Sequence, residues 1–391
     1  MTFAKRTDQL KPEGAYQVLA RANALEAQGR EIIHLEIGQP DFNTPDNISL
    51  SGMRAIANRH TRYNPTAGMT ELRAVIAADA GRRRGLVIRP EQVLVSPGAK
   101  PNLFFPTLAL VEPGDEVIYP NPGFPTYEAM ITVAGGVPVP VPLLEANDFS
   151  FDLAAFDRLI NKRTKLIILN SPSNPTGGVI PDADLEHIAK TANTYDCWVL
   201  SDEIYTRLIY DGGVATSIAA LPGMSERTII MDGFSKTYAM TGWRLGFGIM
   251  PEPVARRVQL LFTHALGSTA HFTQIAGIEA LTGPQDRVQA MLDEYQKRRD
   301  LIVDGLNTLP GVRCRLPQGA FYVFPNIKAV GLSSDLLANR LLEEAGVALL
   351  PGTAFGSYGE GYLRLSYANS IENINRALNR LDKTLRRLRR T

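Results

Sequence analysis

The sequence has little cysteine and no long uninterrupted apolar run. Only Cys197 and Cys314 are present in 391 residues, without Cys-x-x-Cys spacing, so no disulfide framework is expected. No stretch reaches the roughly 18 apolar residues of a membrane span, and the N-terminal segment lacks the apolar core of a signal peptide. We therefore expect no membrane association, no metal site and a cytoplasmic location.

Neither sign of charge is in excess. The chain has 41 Lys and Arg residues against 40 Asp and Glu residues, a formal charge of +1, which does not favour nucleic acid as a partner. Residues 383–390 are basic, and we interpret them as the solvated end of a last helix. Hydrophobic residues make up 45% of the chain, which is typical of a globular protein with a core, here of two or three domains.

Short apolar runs alternate with amphipathic segments before residue 285. The runs that read as buried strands are 92–96, 116–119, 165–169, 197–200, 228–231 and 245–249. Residues 182–196 place Leu185, Ile188, Ala189 and Ala192 on one helical face. This alternation predicts an α/β fold with a mainly parallel sheet covered by helices on both faces, and a ligand beyond the carboxyl ends of its strands. A nicotinamide site is not favoured, because no G-x-G-x-x-G follows the first strand.

The pattern changes after residue 285. Helical stretches there surround the short strand-like segments GAFYVFP, GVALLPG and YLRLSYA, which predicts a smaller α+β domain. Residues 32–35 are also strand-like, and we expect the N-terminal segment to pack with that domain. We therefore predict a large domain over 46–284 and a small domain made of 1–45 and 285–391.

Residues with polar or reactive chemistry follow several of the predicted strands. Residues 97–101 precede a helix and could form an anion site with free N–H groups, although an ordinary strand–helix turn has the same sequence. Asn174 is held extended by the following Pro175, as in a turn or in a cleft. Asp202 ends an apolar strand, where a carboxylate needs a metal, a cationic ring nitrogen or a helix-capping role.

The segment GFSKTYAMTGWRLG, residues 233–246, completes this group with Ser235, Lys236 and Arg244. Such a set suits a phosphorylated aromatic aldehyde. A desolvated lysine forms a Schiff base with a carbonyl, and a carboxylate keeps a pyridine nitrogen protonated. Arginine and backbone N–H groups hold a phosphate.

These motifs occur together in a recognisable order. LEIGQPDF, YNPTAGMTELR, PGAK, NPGFPTY, NSPSNPTGG, SDEIY, GFSKTYAMTGWRLG, GAFYVFP and YLRLSYA extend over nearly the whole chain. The chain thereby resembles the class I/II aminotransferases, which are fold type I pyridoxal-phosphate enzymes, and within them the bacterial-type aspartate aminotransferase branch. The resemblance implies a seven-stranded, mainly parallel sheet and pyridoxal 5'-phosphate as cofactor.

The resemblance also implies the roles of cofactor-binding residues. Lys236 would be the Schiff-base lysine and proton shuttle, Asp202 the partner of the pyridinium nitrogen, and Tyr205 and Asn174 the partners of the ring hydroxyl. The phosphate would be held by the following residues: Gly98, Ala99, Lys100, Ser235 and Arg244. Phe124 would stack on the cofactor ring, and Tyr63 would reach the phosphate of a partner subunit, which implies a homodimer with shared active sites.

Substrate contacts follow in the same way. Arg364 would bind the α-carboxylate, while Gly38, Phe124 and Asn174 would also face the substrate. The resemblance implies transfer of an amino group from an L-amino acid to a 2-oxo acid by a ping-pong route. Lys100 favours aspartate or glutamate as a donor, whereas Phe124 in place of the branch's tryptophan and the segment 13–16 without Ser or Thr leave a larger or more apolar acceptor open.

Two other functions remain open at this stage. A β-lyase acting on cysteine-type conjugates would use the same fold and cofactor. A non-catalytic ligand sensor is less compatible, because the full set of catalytic residues is present and no spare N-terminal segment could form a DNA-binding domain.

Overall fold

A large β-sheet organises the middle of the chain. The computed structural model describes residues 3–10 and 12–389. Its helices are α1 Lys5–Asp8, α2 Gly14–Glu26, α3 Asp46–Ala57, α4 Thr70–Arg84, α5 Pro101–Leu110, α6 Thr126–Ala134, α7 Leu153–Leu159, α8 Asp182–Tyr195, α9 Glu252–Ala265, α10 His271–Thr282, α11 Asp286–Asn307, α12 Ser334–Arg340 and α13 Ile371–Leu388. Its strands are β1 Ile33–His34, β2 Val93–Ser96, β3 Glu116–Asn121, β4 Val137–Leu144, β5 Ser150–Phe151, β6 Thr164–Asn170, β7 Trp198–Asp202, β8 Thr228–Gly233, β9 Gly246–Ile249, β10 Tyr322–Val323, β11 Val347–Ala348, β12 Leu350–Pro351 and β13 Leu363–Ser366. None of the helices in this described part is long and apolar enough to cross a bilayer.

The sheet has the strand order β2-β9-β8-β7-β6-β3-β4-β5. Pairing is parallel from β8 through β4, and β9 runs antiparallel to both of its neighbours. Each of the six apolar runs noted in the sequence forms one of these strands, so the mainly parallel sheet is confirmed. The structure has eight strands rather than the expected seven, because the two residues of β5 pair antiparallel with the end of β4.

Strand β4 was missed among the apolar runs because its sequence is VPVPVPLL. Proline has no N–H to donate and is tolerated where one side of a strand stays unpaired. Here β4 pairs with β3 through residues 137–142 on one side, whereas β5 reaches only Leu143 and Leu144 on the other. The prolines therefore occupy a nearly free edge of the sheet.

Both faces of the sheet are covered by apolar packing. Along β6, Leu166 and Ile168 belong to one buried cluster, while Ile167 and Leu169 belong to another. Side chains alternate across a strand, so the two clusters lie on opposite faces. The second cluster includes the four α8 residues predicted to share one helical face, and this confirms that prediction. A parallel sheet with two covered faces places its free polar groups at the strand ends.

The N-terminal segment packs with the C-terminal part of the chain. Strand β1 pairs in parallel with β11, with Ile33 opposite Val347. A three-stranded antiparallel sheet, in the order β10-β13-β12, lies in the same C-terminal part. These pairings are what the proposed small domain requires, and the boundaries at residues 45 and 285 stay a prediction.

A buried network of acids and arginines links α4 to the carboxyl ends of β7 and β8. Its members, here called the acid–arginine network, are Asp79, Arg83, Arg84, Glu203, Arg207 and Asp232. Arg84 donates to Glu203 at 2.6 Å and to Asp232 at 2.8 Å, and Arg207 donates to Asp79 at 2.5 Å. Glu203 also accepts hydrogen bonds from Ser201 and Ser217. One member of the network, Glu203, directly follows Asp202 in the chain.

Candidate active site

The carboxyl ends of the central parallel strands open into a cavity of about 730 Å³. All but two of the predicted site residues line it, namely Gly38, Ala99, Lys100, Phe124, Asn174, Asp202, Tyr205, Ser235, Lys236, Arg244 and Arg364. Gly98 directly precedes the lining residue Ala99. Residues that are up to 326 positions apart in sequence (364 − 38) therefore meet at the edge of the sheet where the fold class predicts a ligand.

Asp202, the last residue of β7, is buried in this cavity wall. The hydroxyl of Tyr127 donates to its Oδ2 at 2.6 Å, and the backbone N–H of Ile204 donates to its Oδ1 at 3.3 Å. Burial is the main cause that raises the pKa of Asp202 to about 7. Among the described residues, no cation forms an ion pair with this carboxylate that would offset the effect of burial. The carboxylate is oriented by its donors and has room for a positively charged partner.

Tyr127 was not among the predicted site residues. It is fully buried in α6, three positions after Phe124, and the two rings meet edge to face at 5.7 Å. Burial, with Asp202 second, raises the pKa of its hydroxyl well above the ordinary value, so it is a donor to Asp202. In the sequence it is one aromatic residue of a helix, and only the fold brings it to Asp202.

Lys236 follows β8 in a tight turn, and its Nζ donates to the carbonyl of Gly38 at 2.5 Å. Burial is the main cause that lowers its pKa to about 8, and the charge of Arg364 adds to the effect. With this pKa, roughly one tenth of the amine is neutral at pH 7, far more than for an ordinary lysine, and the neutral form is what a nucleophile or general base requires. Sequence reasoning identified this residue, whereas its depressed pKa depends on the tertiary packing.

Arg364 lies in β13, close to two aromatic rings. Its guanidinium lies 4.6 Å from the ring centre of Tyr322 and 5.2 Å from that of Phe355. It donates to the carbonyl of Glu36 and, at 3.5 Å, to Oδ1 of Asn174. Its Nε is buried without a partner among the described residues, which leaves a donor free for an anion. A planar guanidinium held in this way suits a carboxylate.

Gly38 and Tyr205 are fixed by the same tyrosine. The hydroxyls of Tyr205 and Tyr322 lie 2.8 Å apart. A Cβ on residue 38 would lie 2.1 Å from the hydroxyl of Tyr322, so this close approach excludes a side chain at Gly38. Tyr322 was also not among the predicted site residues, although its segment GAFYVFP was noted as strand-like and as one of the family motifs.

A turn at residues 97–100 leads into α5, and Arg244 lies against it. A Cβ on Gly98, which has a φ of +84°, would lie 2.1 Å from Nη2 of Arg244. Ser235 also lines the cavity and is buried. A guanidinium and the start of a ten-residue helix thus form one corner of the cavity, and such a combination can bind a phosphate group.

The part of the cavity at Lys100 and Glu13, here called its outer end, holds an ion pair between these two residues that the sequence did not predict. Lys100 Nζ donates to Oε1 of Glu13 at 2.5 Å and lies 5.1 Å from the ring centre of Phe124. The hydroxyl of Thr126 donates to the same Glu13 oxygen at 3.3 Å. Glu13 directly precedes α2, so this helix is tied to the starts of α5 and α6.

Tyr63 lies apart from the other predicted site residues. It belongs to the loop between α3 and α4, is 96% exposed, and does not line the cavity. Within this one chain it is therefore not part of the site.

The sequence was compared with protein families and with known proteins. Residues 30–381 match the family described as Aminotransferase class I and II. The chain belongs to the class I and II aminotransferases. It is 40% identical to the aspartate aminotransferase of Pyrococcus horikoshii, covering 98% of this chain and 97% of that protein. It is 38% identical to the aromatic-amino-acid aminotransferase 2 of Thermococcus litoralis, covering 99% of both.

The structure is similar to solved aminotransferases as well. The aspartate aminotransferase of Thermus thermophilus with maleate superposes with a TM-score of 0.93 and 38% identity, covering 98% of this chain and 100% of that one. This aminotransferase therefore has the fold type I architecture and is an enzyme of amino-group transfer. The β-lyase and ligand-sensor alternatives are not favoured.

Proposed function

We propose that this aminotransferase binds pyridoxal 5'-phosphate in the cavity and transfers the amino group of an L-amino acid to a 2-oxo acid by a ping-pong route. The observation that carries the proposal is the convergence of Asp202, Lys236 and the corner beside Arg244 on one cavity. When bound, the cofactor supplies an electrophilic carbonyl carbon and a ring that withdraws electrons from the substrate α-carbon.

The residues present fit this cofactor. Asp202 has a raised pKa because its charge is buried without a cation, and a protonated ring nitrogen would be such a cation. Tyr127 holds the carboxylate in place through its 2.6 Å hydrogen bond. The turn at residues 97–100, with Ser235 and Arg244, would hold the phosphate, and Tyr205 and Asn174 would face the ring hydroxyl.

Lys236 would handle the proton in the reaction. With a pKa of about 8, its Nζ can accept a proton from the substrate α-carbon and hold it as an ammonium group nearby. The carbonyl of Gly38, which accepts a hydrogen bond from Nζ, keeps the amine on this side of the cavity. Lys236 would then deliver this proton to the C4′ carbon of the cofactor. This delivery would distinguish amino-group transfer from decarboxylation or elimination.

Arg364 would orient the substrate through its α-carboxylate. Its free Nε and the neighbouring amide of Asn174 provide donors, and the two nearby aromatic rings pack against the guanidinium. Phe124 would cover one face of the cofactor. The side chain of a substrate held in this way would share the cavity with Lys100, which also lines it. Aspartate and glutamate stay the donors expected from Lys100.

A second copy of the chain would complete the site. Helix α3 exposes Leu50, Met53 and Ile56, whose exposed fractions are 47%, 65% and 51%, and Tyr63 follows this helix. An apolar helix face beside a fully exposed tyrosine supports a homodimer in which Tyr63 contacts the phosphate in the partner subunit. A cytoplasmic location stays a prediction.

The proposal is tested by a single-turnover absorbance experiment. The protein is loaded with pyridoxal 5'-phosphate and mixed with one amino acid at a time, without an acceptor. The cofactor band should shift to that of the amine form and return when a 2-oxo acid is added. Release of ammonia and pyruvate without this reversible shift would contradict amino-group transfer, and failure to acquire any cofactor band would contradict the cofactor assignment.

A further inference from the structure

At the outer end of the cavity, Lys100 is paired with an acid. Among the described residues, the buried Asp202, Lys236 and Arg364 of the same cavity form no ion pair. The ammonium group of Lys100 is not free to bind a ligand, because Oε1 of Glu13 lies 2.5 Å from its Nζ. The side chains of Lys100 and Glu13 are 50% and 24% exposed, so both can reorient when a ligand enters. The pair as a whole carries no net charge.

Several apolar side chains line the cavity that contains this ion pair. Tyr16, Leu19, Phe124 and Phe355 line the same cavity. Lys100 itself lies over the face of Phe124, where a cation is attracted by the ring. An aromatic or aliphatic side chain can therefore be accommodated here while the Lys100–Glu13 pair stays intact.

An acidic side chain meets a different situation. Its carboxylate can contact Lys100 only by displacing Glu13 or by sharing the ammonium with it. Two carboxylates close to one cation repel each other, and this repulsion offsets part of the attraction. The cation is thus less available to an acidic substrate than its position in the cavity implies.

We propose that Glu13 is a specificity-determining residue that competes with the substrate side chain for Lys100 and reduces the preference for acidic over aromatic amino acids. This inference rests on the proposed amino-group transfer, since it concerns the substrate of that reaction. It assigns to the start of α2 the role of setting how much of the Lys100 charge a substrate can use.

The first experiment compares two donors on the cofactor-loaded enzyme. The ratio of kcat/KM for L-aspartate to that for L-phenylalanine is measured in the parent and in Glu13→Gln, which keeps the shape of the side chain and removes its charge. The ratio should rise about fivefold, the upper range for one partly exposed ion pair. Glu186→Gln, which removes an exposed carboxylate at α8, is the matched control and should leave the ratio unchanged.

A second substitution tests whether the effect passes through Lys100. Adding Lys100→Met to Glu13→Gln should remove the gain for aspartate, because no cation is then available. In the parent background the same Lys100→Met change should lower the ratio less, since Glu13 already occupies the lysine. Equal effects of Lys100→Met in both backgrounds would overturn the competition.

Binding of non-reacting acids separates this inference from the proposed function. Dissociation constants of succinate and 3-phenylpropionate are measured by calorimetry on the loaded protein. Glu13→Gln should strengthen succinate relative to 3-phenylpropionate by a similar factor. An unchanged ratio would overturn the role of Glu13, whereas a shifted ratio in an enzyme that converts no amino acid would uphold it and contradict amino-group transfer.

Discussion

Two buried groups of charged residues lie side by side in this aminotransferase, and they differ in how their charges are balanced. The acid–arginine network contains three carboxylates and three guanidinium groups, all within hydrogen-bonding distance of an opposite charge. Burial alone would raise the pKa of Asp79, but Arg207 and Arg83 outweigh it and lower the pKa. The neighbouring charges likewise raise the pKa of Arg84 against the effect of burial.

The cavity residues show the opposite trend. Burial raises the pKa of Asp202 and lowers the pKa values of Lys236 and Arg364, so each of the three is shifted toward its neutral form. A network whose charges are paired among themselves leaves no charge for a ligand. A group whose charges lack partners is instead prepared for a ligand that supplies them, and such groups are typical of functional sites.

The largest expected effect concerns Lys236. Lys236→Ala should lower kcat by at least about 10³-fold, because no other amine can hold the proton from the substrate. The variant should still retain the cofactor without a covalent bond, measured by absorbance after gel filtration. Lys190→Ala, on the exposed side of α8, is the control, and near-normal turnover in Lys236→Ala would overturn the site.

Asp202 and Glu203 are adjacent in sequence, and removal of their charges should change the free energy of unfolding in opposite directions. This difference tests the comparison of the two groups directly. In the cofactor-free protein, Glu203→Gln should lower the free energy of unfolding by about 3 kcal/mol at pH 8, because it leaves Arg84 short of a partner. Asp202→Asn should raise it by roughly 3 kcal/mol, because it removes a buried charge without a cation. Thermal or denaturant unfolding measures both.

The effect of Asp202→Asn on the free energy of unfolding should depend on pH. Its pKa in the folded protein, about 7, lies above the ordinary value of about 3.9 for an unfolded chain, so the folded state disfavours the charged form. The cost therefore grows as the pH rises from about 4 to 7 and is constant above that. The stabilisation by Asp202→Asn should shrink by more than half at pH 5. A pH-independent difference, or destabilisation at pH 8, would contradict the idea of an unpartnered charge.

A smaller effect is expected at Arg364. Arg364→Lys keeps the positive charge and loses the planar fork, so kcat/KM should fall about 10- to 100-fold, mainly through a higher KM. Steady-state kinetics with saturating cofactor measures the change. Arg376→Lys, on the surface of α13, is a control of the same type. A fall in kcat at unchanged KM would argue against a role in holding the α-carboxylate.

The smallest effect concerns Tyr63. Tyr63→Phe removes one hydroxyl, and the loss of one hydrogen bond, roughly 1 kcal/mol, should weaken cofactor binding about fivefold. Cofactor titration measures the affinity, and sedimentation measures the oligomeric state. A fully loaded and active monomer would show that the site needs no second chain.

Most of the fold was predictable because it rests on local patterns. The six apolar runs became strands, and the helix at residues 182–195 buried the expected face. The exceptions have physical reasons. Strand β4 alternates valine and proline, which hides its strand character, and β5 is too short to have a period.

The candidate site was predictable only in part. Lys236, Asp202 and Arg364 lie in specific motifs and were assigned roles from the sequence, and they line one cavity, whereas Tyr127 and Glu13 were not assigned roles. Tyr127 acts through a hydrogen bond to a residue 75 positions away, and Glu13 through an ion pair to one 87 positions away. Neither contact has a counterpart in the local pattern of the sequence.

The sequence by itself determined the fold class, the family and the chemical types that end the strands, because periodicity and motif order are properties of neighbouring residues. The tertiary structure decided which charges are balanced. It buried Asp202 and Lys236 without adequate partners, and it placed Glu13 on Lys100. Electrostatic free energy depends on distance and burial in three dimensions, so identical residue types can stabilise a fold in one place and form a reactive site in another.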